Sequence, residues 1–167
     1  MNIRQIASLV AAVVLTAVSA APALAVTVSR VDGQPMNPNG EPFSATGITA
    51  LGKKSINANC TVIFNGTITP AGIVNITSAQ LNGGGWCQLI SSSASGVSPW
   101  TGQMDSATQL SINNAQATFA VLGPCGPSKL VATWNDSNSS LTFNDNDWAP
   151  DCRLLGTFTA SPKLHVQ

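Results

Sequence analysis

The chain predicts an all-β fold, a disulfide-braced antiparallel β-sandwich with an open β-barrel as the alternative. Three observations carry that expectation. Short runs rich in Thr, Val and Ile alternate with clusters of Gly, Asn, Ser and Pro, the composition of pleated, half-buried strands and their turns. No window repeats apolar residues at i, i+3, i+4 and i+7 between helix caps. Four cysteines, Cys60, Cys87, Cys125 and Cys152, form an even set at wide spacing.

Residues 1–25 read as a cleaved secretory signal. Arg4 supplies the positive start, an apolar run extends from Ile6 to Ala21, and Ala23-Leu24-Ala25 is an A-x-A cleavage site. The run is shorter than the roughly 20 residues that span a bilayer, and Ser8, Thr16 and Ser19 interrupt it. No later run is long and apolar enough to span a membrane. The expected mature chain starts at Val26 and carries six basic and seven acidic residues. That near-neutral balance excludes a strongly basic nucleic-acid binder. The expected location is outside the inner membrane: extracellular or at the cell surface, or in the periplasm.

Residues 26–42 hold three prolines and little apolar periodicity, an extended lead-in to a single domain over 43–167. Strands are expected at 43–51, 60–69, 73–81, 114–122, 130–143 with a turn at 135–139, 153–160 and 163–167. The clearest is 60–69, where Cys60, Val62, Phe64 and Ile68 share one face and Thr61, Asn65, Thr67 and Thr69 the other. Pro70-Ala71-Gly72 turns it into the next strand. Ser, Thr and Asn together make 47 of the 167 residues, so the outward faces are coated with uncharged polar groups.

In an exported chain the cysteines read as two disulfides. A structural zinc site would bring its ligands in close pairs, whereas the shortest gap here is 26 residues. Cys60 to Cys87 and Cys125 to Cys152 are both C-x26-C, and each pair brackets an expected hairpin, which favours those two pairings. The match of Cys87-Gln88-Leu89-Ile90 with Cys152-Arg153-Leu154-Leu155 fits a degenerate repeat of about 65 residues.

Chemistry-bearing patterns are sparse. Asp145, Asp147 and Asp151 give D-x-D-x3-D, but Pro150 and Gly156 stand where a calcium loop wants Gly and Glu, so no metal site is expected. His165 is the only histidine and no G-x-S-x-G elbow accompanies it. Gly83-Gly84-Gly85 opens no helix and is no phosphate cradle. The N-x-S/T triplets at Asn59, Asn65, Asn75, Asn135 and Asn138 are what an Asn/Thr-rich chain contains by chance. Trp134 is expected in the core, while Trp86, Trp100 and Trp148, next to Gly-, Ser- and Pro-rich stretches, are candidate surface-contact residues.

The C-x3-F-x-G strand at 60–66, Cys87, Pro99-Trp100, the stretch FAVLGPCGPS at 119–128, Trp134-Asn135, Cys152 and the closing SPKLHV together resemble the PraB family, protein activators of alkane oxidation. The resemblance covers roughly residues 43–167. It implies a small exported bacterial protein with an extracellular, biofilm-type role that promotes the use of hydrocarbon without oxidising it. It carries no catalytic residues and no cofactor onto this chain. The expected partners are hydrocarbon or another hydrophobic surface, or like subunits. The rival expectation is a fibre or adhesin-type subunit that assembles by strand addition, with 26–42 as the donated strand.

Overall fold

The computed structural model describes residues 26–167; the expected signal at 1–25 lies outside the described residues. Eleven strands follow one another: β1 (Val28–Arg30), β2 (Glu41–Lys53), β3 (Ile56–Ile68), β4 (Ile73–Asn82), β5 (Ile90–Ser92), β6 (Trp100–Ser106), β7 (Gln109–Phe119), β8 (Gly123–Asn135), β9 (Ser140–Trp148), β10 (Cys152–Ser161) and β11 (Leu164–Val166). A 3-10 turn, Gly85–Leu89, precedes β5.

The sandwich expectation is corrected and the barrel alternative fits, closed rather than open. All pairings are antiparallel, β2 pairs with both β3 and β10, and β7 pairs with β8. The ring β2-β3-β4-β6-β7-β8-β9-β10 therefore closes on itself as an eight-stranded barrel, with β5 as an extra strand on β7. Alternation along each strand is the same in a sandwich and a barrel; what differs is the long-range pairing, such as Ala45 opposite Ala160.

Strand parity sets the interior. On β3 the inward residues are Ala58, Cys60, Val62, Phe64 and Ile68, all buried; on β8 they include Cys125, Leu130, Ala132 and Trp134. At the centre Phe158 packs against Phe64 and Phe143, with ring centroids 4.9 and 5.7 Å apart. The outward positions are mainly Thr, Ser, Asn and Gln. Apolar inside and polar outside is the reverse of an outer-membrane barrel. Among the described residues no helix is long and apolar enough to cross a membrane.

Tight bending needs glycine. A Cβ on Gly66 would lie 2.1 Å from the Asn75 carbonyl oxygen, at the point where the β3–β4 register shifts.

The two barrel ends are built differently. At one end β1 and β11 form a two-stranded ribbon that drives Val28, Leu164 and Val166 into the core. The lead-in is thus anchored, with Arg30 bridging Asp32 on its own segment and Glu41 at the start of β2. At the other end sit both disulfides. Cys60 joins Cys87 and Cys125 joins Cys152, with Cα–Cα distances of 5.6 and 5.8 Å. Each closes the hairpin that the spacing brackets, β3–β4 in one case and β8–β9 in the other.

Candidate functional site

The four indoles divide by depth. Trp100 opens β6 and is 4 % exposed; Trp148 closes β9 and is 3 % exposed. Their rings meet edge-on at 6.2 Å. Trp100 Nε1 donates to Ser93 Oγ at 2.9 Å and Trp148 Nε1 to the Ala115 carbonyl at 2.9 Å, so the one polar atom of each ring is satisfied inside. The expectation that these two present contact surface is corrected: inward strand parity outweighs the Ser-, Gly- and Pro-rich neighbours. Trp134 is buried as expected. Trp86, on the 3-10 turn, is half-buried and packs on the core edge.

The apolar residues that do reach solvent at the disulfide end are others. Leu89, Val97 and Val121 are 44, 98 and 73 % exposed. The Ala120 N–H donates to the Leu89 carbonyl at 2.8 Å, which sets the Leu89 turn beside the Val121 turn. Val97 stands alone between Gly96 and Ser98, which is a sequence signal for exposure; Leu89 and Val121 have apolar neighbours and carry no such signal.

Lys53 is the most unusual ionic residue at that end. Parity with Thr49 and Leu51 turns it inward, and it is 2 % exposed. Its ammonium donates to Asp151 Oδ1 at 2.5 Å, to the Pro124 carbonyl at 2.9 Å and lies 3.4 Å from Cys152 Sγ. The acidic loop does not converge. Asp151 serves Lys53, Asp145 pairs with Arg153, and Asp147 lines an open groove with Trp148 and Pro150. Among the described residues no group of three or more His, Cys, Asp or Glu is placed to hold a metal ion.

His165 and Asp136 do meet, at the ribbon end, and Ser137 and Ser139 line the same open groove. Neither serine is arranged as a nucleophile. Ser137 Oγ donates to Asn135, and Ser139 Oγ is held by the backbone of Leu164 on both sides. Partial burial pushes the Asp136 carboxyl up, but donation from the Val166 N–H, His165 and Trp134 Nε1 outweighs it and holds the group below the usual carboxylate range. This cluster fastens β11 to the β8–β9 turn.

Among the described residues, cavities of about 20 and 30 Å3 lie inside the barrel, walled mainly by apolar side chains with Thr49 and Ser92 on the smaller one, and with Phe64 and Ile112 on the wall of each. Each has room for about one water-sized particle.

Fold and site thus define a disulfide-stapled, closed all-β barrel with a filled core. The chain belongs to the alkane oxidation protein activator PraA/PraB-like family, whose family model matches residues 1–167. No curated protein and no solved structure matches it.

Proposed function

We propose that the protein is an exported, non-enzymatic accessory factor that works at the cell surface or in the extracellular matrix and promotes contact with hydrophobic substrate. The observation that carries this reading is the pair of disulfides in a chain of a family named for activating alkane oxidation. Such bridges persist in oxidising compartments, outside the cytosol where alkane first meets the cell. Lys53 with Asp151, Arg153 with Asp145, Arg30 with Glu41 and His165 with Asp136 are tied into pairs between segments, which supports action by contact.

The test is a deletion strain grown on hexadecane and on succinate, complemented with the full chain or with a chain lacking residues 2–25. Slow growth on hexadecane alone, restored only by the full chain, is expected, with the protein outside the inner membrane and its thiols bridged. Equal growth of deletion and wild type, or free thiols in cytosolic protein, overturns the reading.

One observation favours a second reading, a structural subunit. β4 pairs with β6 only from Ile73 to Ile76, so among the described residues its later half has no strand partner on that side. A donated strand could extend that edge, but residues 26–42 are engaged in their own chain: Val28 pairs with Val166. Sedimentation that shows monomer alone retires this reading.

A further inference from the structure

Charge is segregated around the barrel. Thirteen Asp, Glu, Lys and Arg residues fall in 26–167, and from Ser55 to Ser128 there is one, Asp105. That stretch is roughly half of the described chain, so an even scatter would place about half of the charges there. It forms β3, β4, β6 and β7, four neighbouring strands of the ring, plus β5 and the start of β8. The other four, β2, β10, β9 and β8, carry charges in or between them. One contiguous half of the wall is therefore coated with Ser, Thr, Asn and Gln, and Asp105 sits near its edge, held by Ser111 and Gln109 at the β6–β7 turn. Leu89, Val97 and Val121 crown the same half at the disulfide end, with Trp86 beside them.

We infer that this charge-poor half of the barrel, which carries Asp105 alone and is crowned by Leu89, Val97 and Val121, is the side that lies against liquid hydrocarbon. The inference rests on the contact reading above and adds the surface that makes the contact. An ion brought against a low-dielectric phase loses hydration worth far more than a hydroxyl or amide loses. A body with twelve of its thirteen ions outside that stretch has one orientation in which all but Asp105, at the β6–β7 turn, stay in water. Apolar exposure alone does not select this side, because Ile48 on β2 and Leu155 on β10 are 70 and 48 % exposed on the charged half. The charge distribution does. A second copy is the weaker occupant, since the charge-poor wall offers few apolar side chains to bury.

The test is partition of purified mature protein onto washed hexadecane droplets. Thr101 and Asn113 face each other on β6 and β7, both exposed; Thr133 and Thr159 are exposed on β8 and β10. Thr101→Lys with Asn113→Lys is expected to weaken adsorption at least about tenfold, because two ions must then be dehydrated or the barrel turned. Thr133→Lys with Thr159→Lys adds the same charge and is expected to stay within about twofold, since those ions remain in water. Leu89→Glu with Val121→Glu should act like the first pair, Ile48→Glu with Leu155→Glu like the second. Circular dichroism and melting confirm that each variant is folded, and deuterium uptake on droplets should fall on β3 to β7 in the wild type. If wild-type protein does not adsorb, both this inference and the contact reading fail. If it adsorbs but the two halves respond equally, or uptake falls on β8 to β10, this inference alone fails. Sedimentation showing a dimer closed over the charge-poor wall also overturns it.

Discussion

Removing the acid that serves Lys53 should cost more than removing Lys53 itself. In Asp151→Asn the ammonium stays buried and loses its counter-ion, keeping the Pro124 carbonyl at 2.9 Å. An uncompensated buried charge costs about 3–5 kcal/mol. Asp151 is about a third exposed, so water reaches that side of the ammonium, and the expected loss falls to about 2–3 kcal/mol. In Lys53→Met the stem volume is kept and the ion is gone. Asp151 turns to solvent and the Pro124 carbonyl loses one donor, which costs about 1 kcal/mol. The double variant should match Lys53→Met, giving a coupling of about 2–3 kcal/mol between the sites. Urea unfolding of the oxidised protein at pH 7 measures all four proteins. A loss in Lys53→Met equal to or larger than that in Asp151→Asn refutes the claim that desolvation dominates this pair.

Opening either disulfide, as Cys60→Ala with Cys87→Ala or Cys125→Ala with Cys152→Ala, should cost about 3.5 kcal/mol for a sequence separation of 27, read from guanidinium midpoints. Because the folded-state Asp136 carboxyl is held below its ordinary value, its contribution is full above the ordinary Asp range and is lost as pH falls through the folded value. Deuterium uptake in β1 and β11 should therefore rise on acidification, and Asp136→Asn should flatten that rise. Gly66→Ala should cost about 3 kcal/mol or more, since its Cβ meets backbone that cannot swing away; a loss under 1 kcal/mol in urea would show that the bulge relaxes. Phe64→Ala should cost about 3–5 kcal/mol and join the two cavities into one that takes up xenon, seen as a pressure-dependent rise in melting temperature.

Where side-chain alternation is clean, strands are legible. Cys60, Val62, Phe64 and Ile68 mark β3 despite the outward Ile63, though its first residues from Ile56 are missed, and paired spacing marks the bridges. β6 is not legible because its inward positions read Trp100, Gly102, Met104: the glycine that lets β7 approach breaks the apolar pattern. Ring closure is not legible either, since it is a property of which distant strands pair. Trp100 and Trp148 misled because flanking composition reports on loops, whereas burial follows parity along the strand. Lys53 was readable by the same parity, two residues beyond Leu51. The uncharged run from Ser55 to Met104 stands in the sequence, but its meaning needs the strand order that gathers it on one side.

An eight-stranded barrel invites the idea of a ligand in the lumen, but these two cavities are too small to seat a long alkane without rearrangement. The two cavities hold about one small particle each, and Phe64 divides them. Threading a chain between them would displace the Phe64 ring from its contacts with Phe158 and Trp100, at a cost comparable to deleting a core aromatic. The ribbon closes one end with Val28, Leu164 and Val166, and the disulfides staple the hairpins at the other. Stiffness of that kind suits a surface. A wall whose polar groups are neutral but for Asp105 at its β6–β7 turn can meet a low-dielectric phase with little dehydration of ions, and the opposite wall keeps the other charges in water. The filled core makes the barrel rigid, and rigidity keeps the two halves of the charge distribution from mixing at an interface.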